Sequence, residues 1–168
     1  MDSIIIFGAK YLIIAVGLAY LYGLWQANPR DRKSLVAAMI VAAIAAVVIG
    51  KIAGKLYYDP RPFITHHVKP LISHSMDNGF PSDHTLLGVT VASVIYLYRR
   101  KLGILAITIA LLVGVARVAA HVHSPIDIIG GAVIGGLAAW IGSWTAEKYL
   151  DRKLNAASAG HQVPNKHN

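Results

Sequence analysis

The chain has no cysteine and little charge. The first absence excludes disulfide bracing and thiolate chemistry. Charged residues make up 14% of the 168 positions, against about 25% in an average soluble domain. Acidic residues are the scarcest, 8 against 16 Lys and Arg, so the formal net charge is +8. The cations stand in short clusters between apolar runs. That is the membrane pattern, and it argues against a nucleic-acid partner. Hydrophobic residues fill 55% of the chain, and mean hydropathy is +0.53. A chain of this length normally forms one domain.

A spanning helix needs roughly 20 apolar residues, and five segments qualify or nearly so. They run from about Ile4 to Trp25, Leu35 to Ile52, His84 to Tyr98, Leu102 to Ala120 and Ile126 to Trp144. Lys10 interrupts the first, and the third is short. The N-terminus lacks the basic start of a cleavable signal peptide, and its apolar run is too long, so the first segment is expected to remain as a membrane helix. The expected fold is all-α, a polytopic membrane helix bundle of about five transmembrane helices, or six with a further N-terminal element. Residues 1–148 form its single domain. Residues 149–168 are expected to be a polar, disordered cytoplasmic tail. Gly131 and Gly135 have the small-xxx-small spacing of close helix packing.

Orientation follows from the cations. Arg30, Arg32 and Lys33 lie between the first two segments, Arg99, Arg100 and Lys101 between the third and fourth, and Lys148, Arg152 and Lys153 after the fifth. Five crossings put all three clusters on one side, which the positive-inside rule makes the cytoplasm. The stretch 55–83 and the link 121–125 then face outward, although Lys55, Arg61 and Lys69 weaken the contrast.

Three polar groups remain on that outer side: Lys55 and Arg61 in KLYYDPRP, Ser82 and His84 in FPSDH, and Arg117, His123 and Asp127 in ARVAAHVHSPID. The third and fourth segments form a hairpin, so His84 and Arg117 return to one depth. Ionisable residues beside a membrane segment are functional candidates, because burying them is costly. Lys55, Arg61 and Arg117 supply cations, and arginine fits phosphate oxygens with a planar fork. Ser82 stands where a helix should start, with free backbone N–H groups suited to an anion. Asp127, four residues after His123, can hold one imidazole nitrogen and free the other to attack. His84 can protonate a departing oxygen. Together these make a phosphoryl-transfer site in which positioning and charge do the work.

Duller roles exist for each residue. Ser82 and Asp127 also suit helix caps, and Lys55 can simply snorkel to the interface. His66, His67 and His74 lie in the polar loop and read as solvated. His121 and His123 form an HxH pair, but with no partnering Cys or Glu nearby no metal site is expected.

In order and spacing, Arg61-Pro62, Pro81-Ser82-Asp83-His84, Arg117, His123 and Asp127 resemble the signature of the type-2 phosphatidic acid phosphatase superfamily of membrane lipid phosphatases. The resemblance covers residues 55–127. It implies that His123 forms a phosphohistidine, Asp127 orients it, His84 protonates the leaving group, and Lys55, Arg61, Ser82 and Arg117 hold the phosphate, with no cofactor or metal. Departures from the pattern are visible. Five residues rather than six separate Lys55 from Arg61, Asp83 replaces Gly, Ala116 replaces Ser, and His121 stands where Gly is common. The text around DPRPF resembles the bacitracin-resistance type of undecaprenyl-pyrophosphate phosphatase, which implies that carrier lipid as substrate at the outer face of the cell membrane. Phosphatidylglycerol phosphate or phosphatidic acid is the alternative substrate. A small membrane transporter is the non-enzyme alternative, although no internal repeat stands out.

Overall fold

The computed structural model describes residues 1–160, with side chains through Leu150 and at Arg152. The described residues form helices α1 (Asp2–Lys10), α2 (Ile13–Trp25), α3 (Pro29–Leu56), α4 (Pro62–Thr65), α5 (Asp83–Tyr98), α6 (Arg100–Ala119) and α7 (Pro125–Gly160), with no strand among them. An isolated bridge joins Pro60 and Asn78 in the long loop before α5. The five expected segments appear in order, with three differences in shape.

The first segment is broken. Helices α1 and α2 are bent by 42° at Tyr11 and Leu12, next to the interrupting Lys10. The second starts six residues earlier than its apolar run. Asn28 caps α3 by accepting from Asp31 N at 2.9 Å, and Pro29 occupies the first turn. The cations Arg30, Arg32 and Lys33 therefore belong to the first turns of the helix. The fifth segment continues past Trp144 as α7, into the polar tail as far as Gly160; residues 161–168 lie outside the described part.

By length and composition α3, α6 and the Pro125–Leu150 part of α7 can cross a bilayer, and the bent pair α1–α2 makes a fourth span. At 16 residues α5 is shorter than a full crossing. It is also the central helix, packed against α2, α3, α6 and α7.

Packing relies on small residues. Ala38, Ala42 and Ala46, spaced one turn apart on α3, are completely buried, and α3 packs mainly on α7. On α7 the expected glycine stripe meets α5. A Cβ on Gly131 would sit 2.9 Å from Ser82 O, and one on Gly135 would sit 2.7 Å from Leu86 O. Inside a bilayer apolar burial gives helices little reason to associate, so such close van der Waals contact carries the association.

The start of α5, the end of α6 and the start of α7 share one end of the bundle, covered by the loop between α3 and α5. The basic turns meet at the other end. There Arg99 donates to Gln26 across the bundle, and Arg32 donates to Leu24 O and Ala27 O.

Candidate active site

Helix α7 begins with Ser124 as its cap position, Pro125 and then Asp127. The carboxylate reaches back to accept from Ser124 N at 2.9 Å, as an acid in the first turn should. The same oxygen, Oδ2, lies 3.1 Å from His123 Nδ1. Capping and orientation are therefore one arrangement, and Asp127 is fully buried. Gly79 closes over this carboxylate: a Cβ there would stand 2.8 Å from Oδ2. Ser82 N donates to Asp127 O at 3.1 Å, which ties the start of α5 to the start of α7.

Two buried guanidinium groups flank the His123 ring. Arg61 Nη1 lies 3.3 Å from His123 Nε2 and 3.5 Å from Nδ1. Arg117 Nη2 lies 3.4 Å from Nε2. Arginine is only a donor, so Nε2 must offer a lone pair, and the ring proton sits on Nδ1 facing Asp127. This tautomer leaves Nε2 with a free lone pair, turned toward positive charge. Burial lowers the pKa of His123 most strongly. The Asp127 hydrogen bond opposes that shift, and Arg117 and Arg61 push the value further down, so the ring is neutral at pH 7.

Both arginines are themselves held. Arg61 donates to Asp77 Oδ1 and Val122 O at 2.8 Å. Burial raises the pKa of the Asp77 carboxyl, but the hydrogen bonds from Arg61 and Ser75 outweigh it and the net shift is down. Arg117 donates to Ala9 O at 3.2 Å, a carbonyl in the last turn of α1 that lacks a helical partner.

Ser82 is fully buried at the cap position of α5, yet its hydroxyl makes no capping bond; it accepts from Thr85 Oγ1 at 3.3 Å. The first N–H groups of α5 are therefore left for an anion. His84, half-buried in that first turn, is within electrostatic reach of Arg117 and His123. Asp83 is exposed beside it, where an acid suits the helix N-terminus. Lys55 stands exposed in the last turn of α3, outside the hydrogen-bonded cluster.

One histidine departs from expectation. His66 and His67 are exposed in the loop, but His74 is half-buried in the site. Its Nε2 accepts from Arg117 Nη2 at 2.9 Å, and its ring stands edge-on to His123 with centroids 5.9 Å apart. Burial, then Arg61, Arg117 and His123, lower its pKa against the pull of Asp77. Asp77, Asn78 and Asp59 were also not singled out from the sequence. Asn78 clamps the loop, donating to Gly54 O and Tyr57 O and accepting from Asp59 N and Phe80 N at 2.8–3.0 Å. Asp59 accepts from the Ser124 hydroxyl. A loop has no periodicity to reveal such partners; only the acid and amide content of residues 55–83 hinted at them.

His121 is exposed, with φ at 61° in the left-handed region. That backbone explains why glycine is common at this position in the signature it resembles. Among the described residues no three His, Asp or Glu side chains converge as a metal-ligand set.

The family model of the PAP2 superfamily matches residues 32–150. The chain belongs to that superfamily. It is 35% identical over 151 residues to the bacitracin transport permease protein BcrC of Bacillus licheniformis, covering 88% of this chain and 73% of that protein. It is 38% identical over 136 residues to the undecaprenyl-diphosphatase BcrC of Bacillus subtilis, covering 80% of this chain and 69% of that protein. The fold is similar to that of a transmembrane PAP2-type phosphatidylglycerolphosphate phosphatase from Bacillus subtilis, with a TM-score of 0.62 at 23% identity over 87% of this chain and 74% of the other. As a PAP2 protein with several apolar spanning helices, it is a multi-pass membrane lipid phosphatase.

Proposed function

We propose that the protein hydrolyses undecaprenyl pyrophosphate to undecaprenyl phosphate at the outer face of the cell membrane, through a phosphohistidine on His123. The observation that carries the mechanism is the Asp127–His123 pair at 3.1 Å, with Nε2 turned toward Arg61 and Arg117. The substrate follows the name of the Bacillus subtilis relative.

The terminal phosphoryl group binds between Arg61, Arg117, Ser82 and the first N–H groups of α5, with Lys55 reaching it from the end of α3. His123 Nε2 attacks the terminal phosphorus, forming an N–P bond as the bridging P–O bond breaks. His84 gives its proton to the departing lipid phosphate. Asp127 holds Nδ1–H throughout and balances the charge that develops on the ring. Water then attacks the phosphohistidine and passes a proton to His84, and phosphate leaves with His123 restored. The arginines supply the charge stabilisation that a metal gives elsewhere.

The test is phosphate release by detergent-purified protein in EDTA. Undecaprenyl pyrophosphate should be hydrolysed, and His123→Ala should lose at least about a thousandfold. Hydrolysis of phosphatidylglycerol phosphate or phosphatidic acid instead would replace the substrate. An unaffected His123→Ala protein would reject the nucleophile.

A further inference from the structure

One stretch of loop holds Arg61 and Arg117 in different ways. Asp77, a carboxylate, accepts from Arg61 Nε at 2.8 Å. Earlier in the same stretch His74, a neutral ring, accepts from Arg117 Nη2 at 2.9 Å. The stretch is pinned on both sides. Before it, Leu71 N donates to Ala120 O, and Ile72 is buried in a cluster with Phe63, Ala120 and Val122. After it, Asn78 donates to Gly54 O and Tyr57 O. Of residues 73–76 only His74 turns inward; Ser73, Ser75 and Met76 are exposed.

The stereochemistry of arginine gives His74 a particular place. A phosphate meets a guanidinium with two oxygens along the Nε–Nη2 edge or the Nη1–Nη2 edge, so Nη2 takes part either way. Arg117 Nη2 already serves two rings, His74 at 2.9 Å and His123 at 3.4 Å. Its Nη1 donates to Ala9 O. Its Nε is buried and has no partner among the described residues. His123 must stay beside Arg117 for the proposed attack. His74 is therefore the group that has to give way when a phosphoryl oxygen arrives, and the orphaned Nε is the second donor on that edge.

We propose that His74 is a placeholder: it occupies the position of one phosphoryl oxygen on Arg117 in the free enzyme and is displaced when the phosphoryl group binds. The inference deepens the proposed function and rests on it for the phosphate-binding role of Arg117. The residue type fits the task. A buried guanidinium without acceptors is costly, so the free enzyme needs one there. A carboxylate in that place, like Asp77 on Arg61, would pair charge with charge and resist the incoming anion. A neutral ring makes the weaker bond. Burial, with Arg61, Arg117 and His123 nearby, keeps the ring neutral against the pull of Asp77. Displacement needs no backbone motion, because half-buried His74 can swing between rotamers toward the exposed loop surface.

The experiment measures the affinity of detergent-purified protein for inorganic phosphate, from the rise of its thermal midpoint with phosphate at constant ionic strength. It needs neither turnover nor lipid. His74→Ala and His74→Phe, the second keeping a ring but no acceptor, should each bind phosphate about fivefold more tightly than wild type, because the bond to be broken is gone. His74→Gln, which keeps a neutral acceptor near the Nε2 position, should bind as wild type does. Weaker or unchanged binding in the Ala and Phe variants would overturn the proposal and make His74 a fixed brace for Arg117. Wild-type protein with isotope-labelled histidine gives a check free of any substitution. Phosphate should shift the His74 Nε2 magnetic resonance as the bond from Arg117 is lost, and an unmoved resonance at saturating phosphate would also overturn the proposal. Wild-type protein that binds no phosphate at all would instead bring down the phosphate site itself, and this inference with it.

Discussion

At the scale of the residue, the site is governed by which atoms can donate. Arg61 and Arg117 only donate, so the imidazole nitrogens they face must accept. His123 is thereby fixed with its proton toward Asp127, and His74 with its proton on Nδ1, a buried atom that has no partner of its own. Both rings are held below the ordinary imidazole value of 6.5, by burial first and by the neighbouring cations next. The sign of the pH dependence follows. The neutral form of His123, which the proposed attack requires, persists as pH falls through 6.5, because protonation must wait for a more acidic solution. The acid limb of kcat/KM, which reports the free enzyme, should therefore lie below pH 6.5, and steady-state assays from pH 4.5 to 9 will locate it. An acid limb above 6.5 would mean that the cations do not face the ring.

Much of this residue pattern was legible beforehand. His123 and Asp127 are four apart at a helix start, and the hairpin of α5 and α6 returns His84 and Arg117 to one depth. Those are consequences of local spacing and of counting crossings. Lys55 was reachable by the same reading, yet it stands exposed outside the cluster, one residue short of the usual separation from Arg61. His74 and Asp77 were not legible. Their positions depend on where the 26-residue connection 57–82, which includes the short α4, folds back, and hydrophobic periodicity does not encode that.

At the scale of the element, the site depends on how closely α7 approaches α5. Ser82 N bonds to Asp127 O only because Gly131 and Gly135 let the helix backbones meet. Gly135→Val would press its side chain on Leu86 O and the Thr90 backbone. The expected cost is about 1–3 kcal/mol of overpacking, read as a lower midpoint in thermal denaturation in detergent, with activity falling alongside. A variant as stable as wild type would show that α5 and α7 can separate without loss. The glycine spacing was visible in the sequence, but its partner helix was not. The bend between α1 and α2 was hinted at only by Lys10. It brings Ala9 O to Arg117, so even the first helix braces the candidate site.

At the scale of the molecule, the bundle separates its two ends chemically. One carries the Arg32 and Arg99 turns; the other carries Arg61, Arg117 and the histidines. The proposed orientation puts the basic turns in the cytoplasm and turns the catalytic end outward. Because the chain has no cysteine, single substitutions report this cleanly. In intact cells Ser73→Cys, exposed in the loop over the site, should react with a membrane-impermeant maleimide. Lys101→Cys at the opposite end should react only after the membrane is broken. The reverse pattern would invert the protein and give it a cytoplasmic substrate.

The proposed phosphohistidine is the point on which the mechanism turns, and a trapping experiment would show it directly. Purified protein is mixed with substrate labelled in the terminal phosphate, quenched within one turnover and separated from free label. Label that stays on the wild-type chain, survives alkali, is released by acid and is absent from His123→Ala is the expected result. Wild-type protein that turns over without ever carrying label, or label that persists in His123→Ala, would contradict a histidine nucleophile at this site.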